Sequence, residues 1–255
     1  MPELPDVEGH RRTFEEHCQG KTPTRVEVPD AELLEGTTPQ GLGNALRGTP
    51  FIEPRRHGKW LFAPTAGGPT LVFHFRMTGE LAWTEESDEY DALVLHFEDG
   101  SLRYRSRRRL GRVWFVPTGG DTEDVTGPLG PDATEVDAER LTELLDGRRG
   151  GIKSALMDQE LIAGLGNELV DEILWRAKID PRASVADLSE GTVGDIHHHM
   201  REVLGRSIRA GHVPSGPNWL NGVRGEDDPS CPRCGAAVET GQVSGRTTYW
   251  CSREQ

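Results

Sequence analysis

The residues that could do chemistry begin with the first eight, Met1-Pro2-Glu3-Leu4-Pro5-Asp6-Val7-Glu8. Loss of Met1 would turn the Pro2 ring nitrogen from a tertiary amide into a free secondary amine. An α-amino group has a pKa of roughly 8, so part of it is unprotonated near neutrality and can attack an electrophilic carbon. Glu3 places a carboxyl group one residue away, where it could give or take the proton. Most chain ends simply fray, so this pair gains weight only from the rest of the chain.

Four cysteines are present, Cys18, Cys231, Cys234 and Cys251. Three of them crowd into the tail, which suggests a metal site and not a disulfide framework. Cys231-Pro-Arg-Cys234 is followed by Cys251-Ser-Arg-Glu254, so the second C-x-x-C knuckle of a zinc ribbon carries Glu254 in its last place. A carboxylate can ligate zinc, although closed structural sites favour thiolate and imidazole. Three readings stay open: Cys231, Cys234, Cys251 and Glu254 as ligands, three cysteines with water or another side chain, or a metal-free hairpin. Cys18 reads as a half-buried thiol.

Formal charge is −13, which repels nucleic acid at long range unless positive charge is concentrated somewhere. It is concentrated in SLRYRSRRRLGRVWF, where Arg103, Arg105, Arg107, Arg108, Arg109 and Arg112 occur with no acid. Leu110 inside that run is either core or an apolar wedge of the kind that inserts between bases. Met77, in HFRMTGE, has the same two readings. Lys59, in RRHGKWLF, is either a solvated strand-edge lysine or a phosphate holder. Gly164-Leu165-Gly166-Asn167 opens a helix whose N–H groups could bind a phosphate, or is an ordinary interhelix turn. His197, His198 and His199 point in different directions on a helix and read as a solvated face.

These residues need elements to hold them. Leu4, Val7, His10, Arg11 and Phe14 recur at helical spacing over 3–18. From about 24 to 116 the chain reads as short β-rich segments between Gly, Pro and Asp turns, with EDGS as a hairpin turn. Residues 117–136 are rich in Gly, Pro and acid. Helical patterns then cover 137–147, 152–163, 167–178 and 192–210, and a hairpin closes the chain. The expected fold class is α+β, with an antiparallel β-sandwich and leading helix (1–118), a linker (119–136), a helical domain (137–222) and a hairpin finger (223–255). No apolar run reaches the roughly 18 residues of a membrane span, and the start lacks the features of a signal peptide. A cytoplasmic protein is expected, nucleoid-associated in a bacterium or archaeon.

Together, PELPDVE, RRHGKWL, H-x-x-MTGEL, RRRLGR, LMDQELIAGLGNELVDEILWRAKIDP and the terminal cysteine hairpin resemble the formamidopyrimidine-DNA glycosylase/endonuclease VIII family along nearly the whole chain. That resemblance implies a helix–two-turns–helix domain and a bifunctional glycosylase/AP lyase acting on oxidised bases in double-stranded damaged DNA. It implies that Pro2 attacks C1′ and forms a Schiff base, with Glu3 as proton donor. Lys59 would contact phosphate and assist elimination. Met77, Arg108 and Leu110 would fill the gap left by the flipped-out base. Asn167 would bind phosphate, Arg149 would lie near a DNA contact, and Arg246 would be the finger arginine that grips phosphates and assists the last elimination. Structural zinc in the finger would take no part in the reaction. A monomer needing no small-molecule cofactor is expected.

The chain departs from the pattern in places. Leu110 stands where a phenylalanine is usual, Glu254 where a cysteine is usual, and Tyr90 lies nearest a missing DNA-contacting histidine. Residues 211–222 are short for the loop that covers 8-oxoguanine. Oxidised purines are therefore the first expectation, from the PELPDVE start, and oxidised pyrimidines the second. The rivals are a non-catalytic damaged-DNA-binding protein of the same fold and a zinc-ribbon interaction module.

Overall fold

The computed structural model describes all residues, 1–255, and divides them into two compact units. One comprises residues 1–2 and 6–128, the other residues 3–5 and 129–255.

Helix α1 (Leu4–Cys18) buries Val7, Phe14 and Cys18 along one stripe, as its spacing predicts. Cys18 is fully buried, beyond the half-burial expected, and burial pushes its thiol pKa up. Nine strands follow: β1 (Arg25–Glu27), β2 (Leu34–Glu35), β3 (Arg55–His57), β4 (Trp60–Pro64), β5 (Thr70–His74), β6 (Gly79–Trp83), β7 (Asp91–Phe97), β8 (Gly100–Ser106) and β9 (Arg112–Val116). They form two sheets, ordered β1-β7-β8-β6 and β2-β9-β5-β4-β3. Leu93, Leu95, Leu102 and Tyr104 of the first share a core with Leu61, Leu71 and Phe73 of the second, so the expected sandwich is present. Glu98 and Asp99 join β7 to β8 in the predicted hairpin turn.

Two details differ from the sequence expectation. Strand β2 pairs with β9 in parallel, because it enters from a 3₁₀ turn capped by Asp30 and not from a hairpin. Helix α2 (Pro39–Leu46) interrupts a stretch read as β throughout. Its signals are local: Thr38 accepts a hydrogen bond from the Gly41 amide, Pro39 opens the first turn, and Leu42 and Leu46 are buried one turn apart. Gly41 and Gly43 hid that pattern.

The stretch 119–136 carries a single helical turn, α3 (Glu123–Thr126). Residues 129–136 group with the second unit, where Ala133 and Val136 are buried in its core. That core is built by α4 (Ala138–Leu145), α5 (Ile152–Met157), α6 (Asn167–Ala177) and α7 (Glu190–Ala210). The helix expected over 152–163 stops at Met157. Asp158 ends it: its side chain accepts from the Glu160 amide, and its carbonyl from the amides of Leu161 and Ile162. Strands β10 (Val238–Val243) and β11 (Arg246–Cys251) form the closing hairpin, turning at Ser244 and Gly245, both left-handed. Leu220 and Trp175 pack beneath it with Cys231, Val238 and Cys251. No helix is long and apolar enough to cross a membrane.

Candidate functional site

Glu3 is 2% exposed, although it is the third residue of the chain. Its carboxylate accepts hydrogen bonds from the amides of Gly166 (3.0 Å), Glu168 (2.8 Å) and Leu169 (3.1 Å) at the N-terminus of α6. The Leu4 amide donates to the Gly164 carbonyl at 3.2 Å. The positive end of α6 therefore holds an anion supplied by the chain itself, which corrects the reading of GLGN as a turn whose amides await a phosphate. The same contact explains the glycines. A Cβ on Gly166 would lie 2.2 Å from the Glu3 carboxyl carbon. Gly164 has φ +116 and would meet Leu4 at 2.5 Å. Pro2, half-buried, is thus bonded to a residue that is tied down.

Asn167 is the first residue of α6, and Gly166 is its N-cap. Its Nδ2 donates to the Thr247 carbonyl at 2.8 Å, so it touches the finger strand, and its Oδ1 is buried without a partner. Arg246, exposed at the start of β11, lines a cavity of about 360 Å³ with Arg148, Arg149, Ser154, Asp158 and Ser244. Arg148 pairs with Asp158 at 2.8 Å. Asn167, Arg149 and Arg246, far apart in sequence, are thus gathered around one hairpin.

Lys59 sits with Gly58 in the tight turn joining β3 to β4. His74, across from Trp60, has its pKa pulled down to about 4, by burial first and then by the charges of Arg76 and Lys59. It is a neutral imidazole near Lys59, the histidine of the H-x-x-MTGEL motif, to which the sequence alone assigns no role. Met77 is 44% exposed in the β5–β6 loop and Leu110 is 48% exposed in the β8–β9 loop. Such exposure of large apolar side chains rules out the core reading for both. Arg108 donates to the Met77 sulfur at 3.4 Å, and its amide donates to Thr78 Oγ1 at 3.1 Å, so the two loops are linked.

The basic run divides in two. Arg103 and Arg105 lie on β8 and pair with Asp91 at 2.6 and 2.9 Å, so neither is available to a ligand. Arg107, Arg108 and Arg109 follow in the loop, exposed, with Arg107 stacked on Tyr90.

Cys231, Cys234 and Cys251 bring their sulfurs within 4.8 Å of one another, close enough to ligate one zinc ion. Glu254 is not in that group. Its carboxylate is held by Arg233 at 2.7 Å, and Arg233 is itself stacked on Trp175. The residues present fit zinc as a three-thiolate donor set. His198, His199 and Glu202 also approach one another on α7, but the Glu202 carboxylate is already engaged by Arg206 at 2.8 Å and His199 at 3.3 Å.

Two family models match this chain, the formamidopyrimidine-DNA glycosylase N-terminal domain over residues 1–113 and the formamidopyrimidine-DNA glycosylase H2TH domain over 129–216. The chain belongs to the formamidopyrimidine-DNA glycosylase family. Among curated relatives, it is 34% identical to the formamidopyrimidine-DNA glycosylase of Pediococcus pentosaceus, covering 98% of each chain. It is 35% identical to that of Synechococcus sp., covering 100% of this chain and 99% of the relative. Among solved structures, it is similar to the Lactococcus lactis enzyme non-covalently bound to DNA containing an AP site, with TM-score 0.89, 31% identity, and coverage of 100% of this chain and 99% of that one. The same enzyme bound to DNA containing N7-benzyl-Fapy-dG matches with TM-score 0.86 and 30% identity over 98% of each chain.

Proposed function

We propose that this chain is a bifunctional DNA glycosylase and AP lyase that removes oxidised purines, with the Pro2 amine as nucleophile. The observation that carries the reading is the anchoring of residues 3 and 4. Glu3 and Leu4 are fixed by four hydrogen bonds to backbone groups of residues 164–169, two within GLGN and two in the first turn of α6, where an ordinary terminus would fray. A nucleophile on residue 2 is thereby given a defined position, which is what amine catalysis requires. The names of the relatives and the lesions in the DNA of the structural neighbours favour purine damage as the substrate class.

In the proposed reaction the unprotonated Pro2 nitrogen attacks C1′ of an everted nucleotide, and the bond from C1′ to the base breaks, the base leaving with the electron pair and taking a proton from water. Glu3, whose two oxygens accept amide hydrogens, starts as a carboxylate. It takes the proton released from the ring nitrogen and returns it to the sugar ring oxygen, which opens the sugar and leaves an iminium. The iminium acidifies C2′–H; loss of that proton expels the 3′ phosphate, and a second elimination expels the 5′ phosphate. Lys59 is assigned to phosphate binding and proton transfer near the sugar. Arg246, Arg149 and Asn167 are assigned to the phosphates. Met77, Arg108 and Leu110 are assigned to the space the base vacates. Zinc on the three thiols would brace the hairpin and supply no chemistry to the reaction.

Borohydride trapping on DNA carrying 8-oxoguanine or an abasic site tests this. The wild-type chain should give a covalent adduct, and Pro2→Gly should bind the same DNA but lose at least about 90% of trapping, the loss of an activated nucleophile. Undiminished trapping by Pro2→Gly would put the nucleophile elsewhere. No adduct from the wild type, despite binding, would make the chain a damage-binding protein.

A further inference from the structure

Arg246 follows directly on the Ser244-Gly245 turn of a two-stranded hairpin, an element that is marginal unless something braces it. The four residues 246–249 are each tied to a side chain. The Arg246 carbonyl accepts the Thr248 hydroxyl proton at 2.9 Å. Asn167 donates to the Thr247 carbonyl at 2.8 Å. Lys153 Nζ donates to Thr248 Oγ1 at 2.6 Å and to Asp171 Oδ1 at 2.5 Å. The Tyr249 amide donates to Asp171 Oδ2 at 3.2 Å, and that same oxygen takes Arg224 at 2.7 Å.

Lys153, Thr248 and Asp171 are 0%, 0% and 1% exposed. Burying an ammonium group is costly, and an apolar side chain would fill the space beneath the hairpin without that cost. What the lysine adds is direction. The Thr248 oxygen, accepting from Lys153, has its own proton left for the Arg246 carbonyl, and a cation on the oxygen strengthens that bond. The line from α5 thus ends on the backbone of the arginine that lines the cavity with Arg149.

We propose that Thr248, held by Lys153 and Asp171, is a positioning residue that aims Arg246 at a DNA phosphate. This rests on the reading of Arg246 as a phosphate-gripping residue. None of the three is assigned to touch DNA.

The test is a double-mutant cycle on the full chain, reading affinity and its salt dependence on duplex containing a tetrahydrofuran abasic analogue. Thr248→Val keeps the shape and removes the hydroxyl, Thr248→Ser keeps the hydroxyl, and Arg246→Ala removes the guanidinium. Arg246→Ala should weaken binding and lower the salt slope by about one phosphate contact. Thr248→Val should weaken binding about tenfold with part of the same slope loss, a fold-change of the size a lost charge-assisted contact gives. Thr248→Ser should restore both, and adding Thr248→Val to Arg246→Ala should change nothing further. If Arg246→Ala binds like the wild type, the phosphate reading of Arg246 fails. If Arg246→Ala weakens binding while Thr248→Val is silent, or its effect adds in full to that of Arg246→Ala, the positioning role is overturned.

Discussion

Each unit of this chain contains a buried aspartate that bridges two cations, and the surroundings of the two bridges differ. Asp91 lies between Arg103 and Arg105, whose guanidinium groups also reach the carbonyls of Thr84, Glu85 and Glu86. The bridge fastens a surface loop to β8. Burial works against it, yet the Asp88 amide and the two arginines hold the Asp91 carboxyl below the usual carboxylate range. Asp171 lies between Lys153 and Arg224 with almost no exposure, and burial drags the Lys153 pKa down against the pull of Asp171. The first bridge can fall back on carbonyls and water. The second has been sealed beneath the finger, where each member depends on the others.

Breaking the bridges should expose that difference, and it is the largest effect we expect. Asp171→Ala leaves two cations facing a void, a change that costs about 3–5 kcal/mol. Asp91→Ala leaves both arginines with carbonyl partners and should cost about 1–3 kcal/mol, the scale of lost charged hydrogen bonds. Urea unfolding of the full chain measures both. Equal losses, or a larger one at Asp91, would mean that the two networks are equivalent.

The comparison also shows what could be read from sequence. Glu3, Asn167 and Arg246 were found through motifs, but nothing in their spacing says that Glu3 caps the helix opened by Asn167, 163 residues later in the hydrogen bond to Gly166. Long-range pairing of that kind leaves no local periodicity. The density of arginine over 103–112 does not by itself separate ligand-binding charge from structural charge. The places of Arg103 and Arg105 on β8, with Arg107 to Arg109 in the loop beyond, separate structural arginines from available ones. Nothing in the sequence marks Lys153 as buried, since a lysine in an amphipathic helix normally faces water. The ribbon spacing offers Glu254 as one possible ligand but carries no sign of its ion pair with Arg233.

Opposite responses to pH should sharpen the contrast. In the first unit, burial lowers the His10 pKa to about 4, below its ordinary 6.5. A depressed histidine contributes stability that is present above pH 6.5 and lost as pH falls towards 4, because folding then opposes protonation. In the second unit Glu172 is raised to about 7, by burial, against the opposition of Arg176 and the amides of Asn221 and Leu220. A raised carboxyl contributes stability that is full below pH 4.5 and lost as pH rises through 7. Relative to Glu172→Gln, the wild type should therefore gain stability between pH 7.5 and 5. Relative to His10→Gln, it should lose stability between pH 6.5 and 4.5. Thermal melts of the three proteins across this range check both signs, and parallel curves for wild type and Glu172→Gln would remove Glu172 from the argument.

The smallest effect on stability belongs to the first unit's loops, and there the consequence for binding should be large. Met77 and Leu110 are exposed, so truncating either to alanine removes little buried area and should change the unfolding free energy by less than about 0.5 kcal/mol. If these side chains replace an everted base, Leu110→Ala should nevertheless weaken binding to lesion duplex while sparing undamaged duplex, since only the former has a gap to fill. In the second unit the order reverses, for at Asp171 a large loss of stability precedes any loss of grip. A Leu110→Ala protein that is as stable as wild type and binds both duplexes unchanged would leave exposure of Leu110 without a function and return the wedge to Met77 and Arg108 alone.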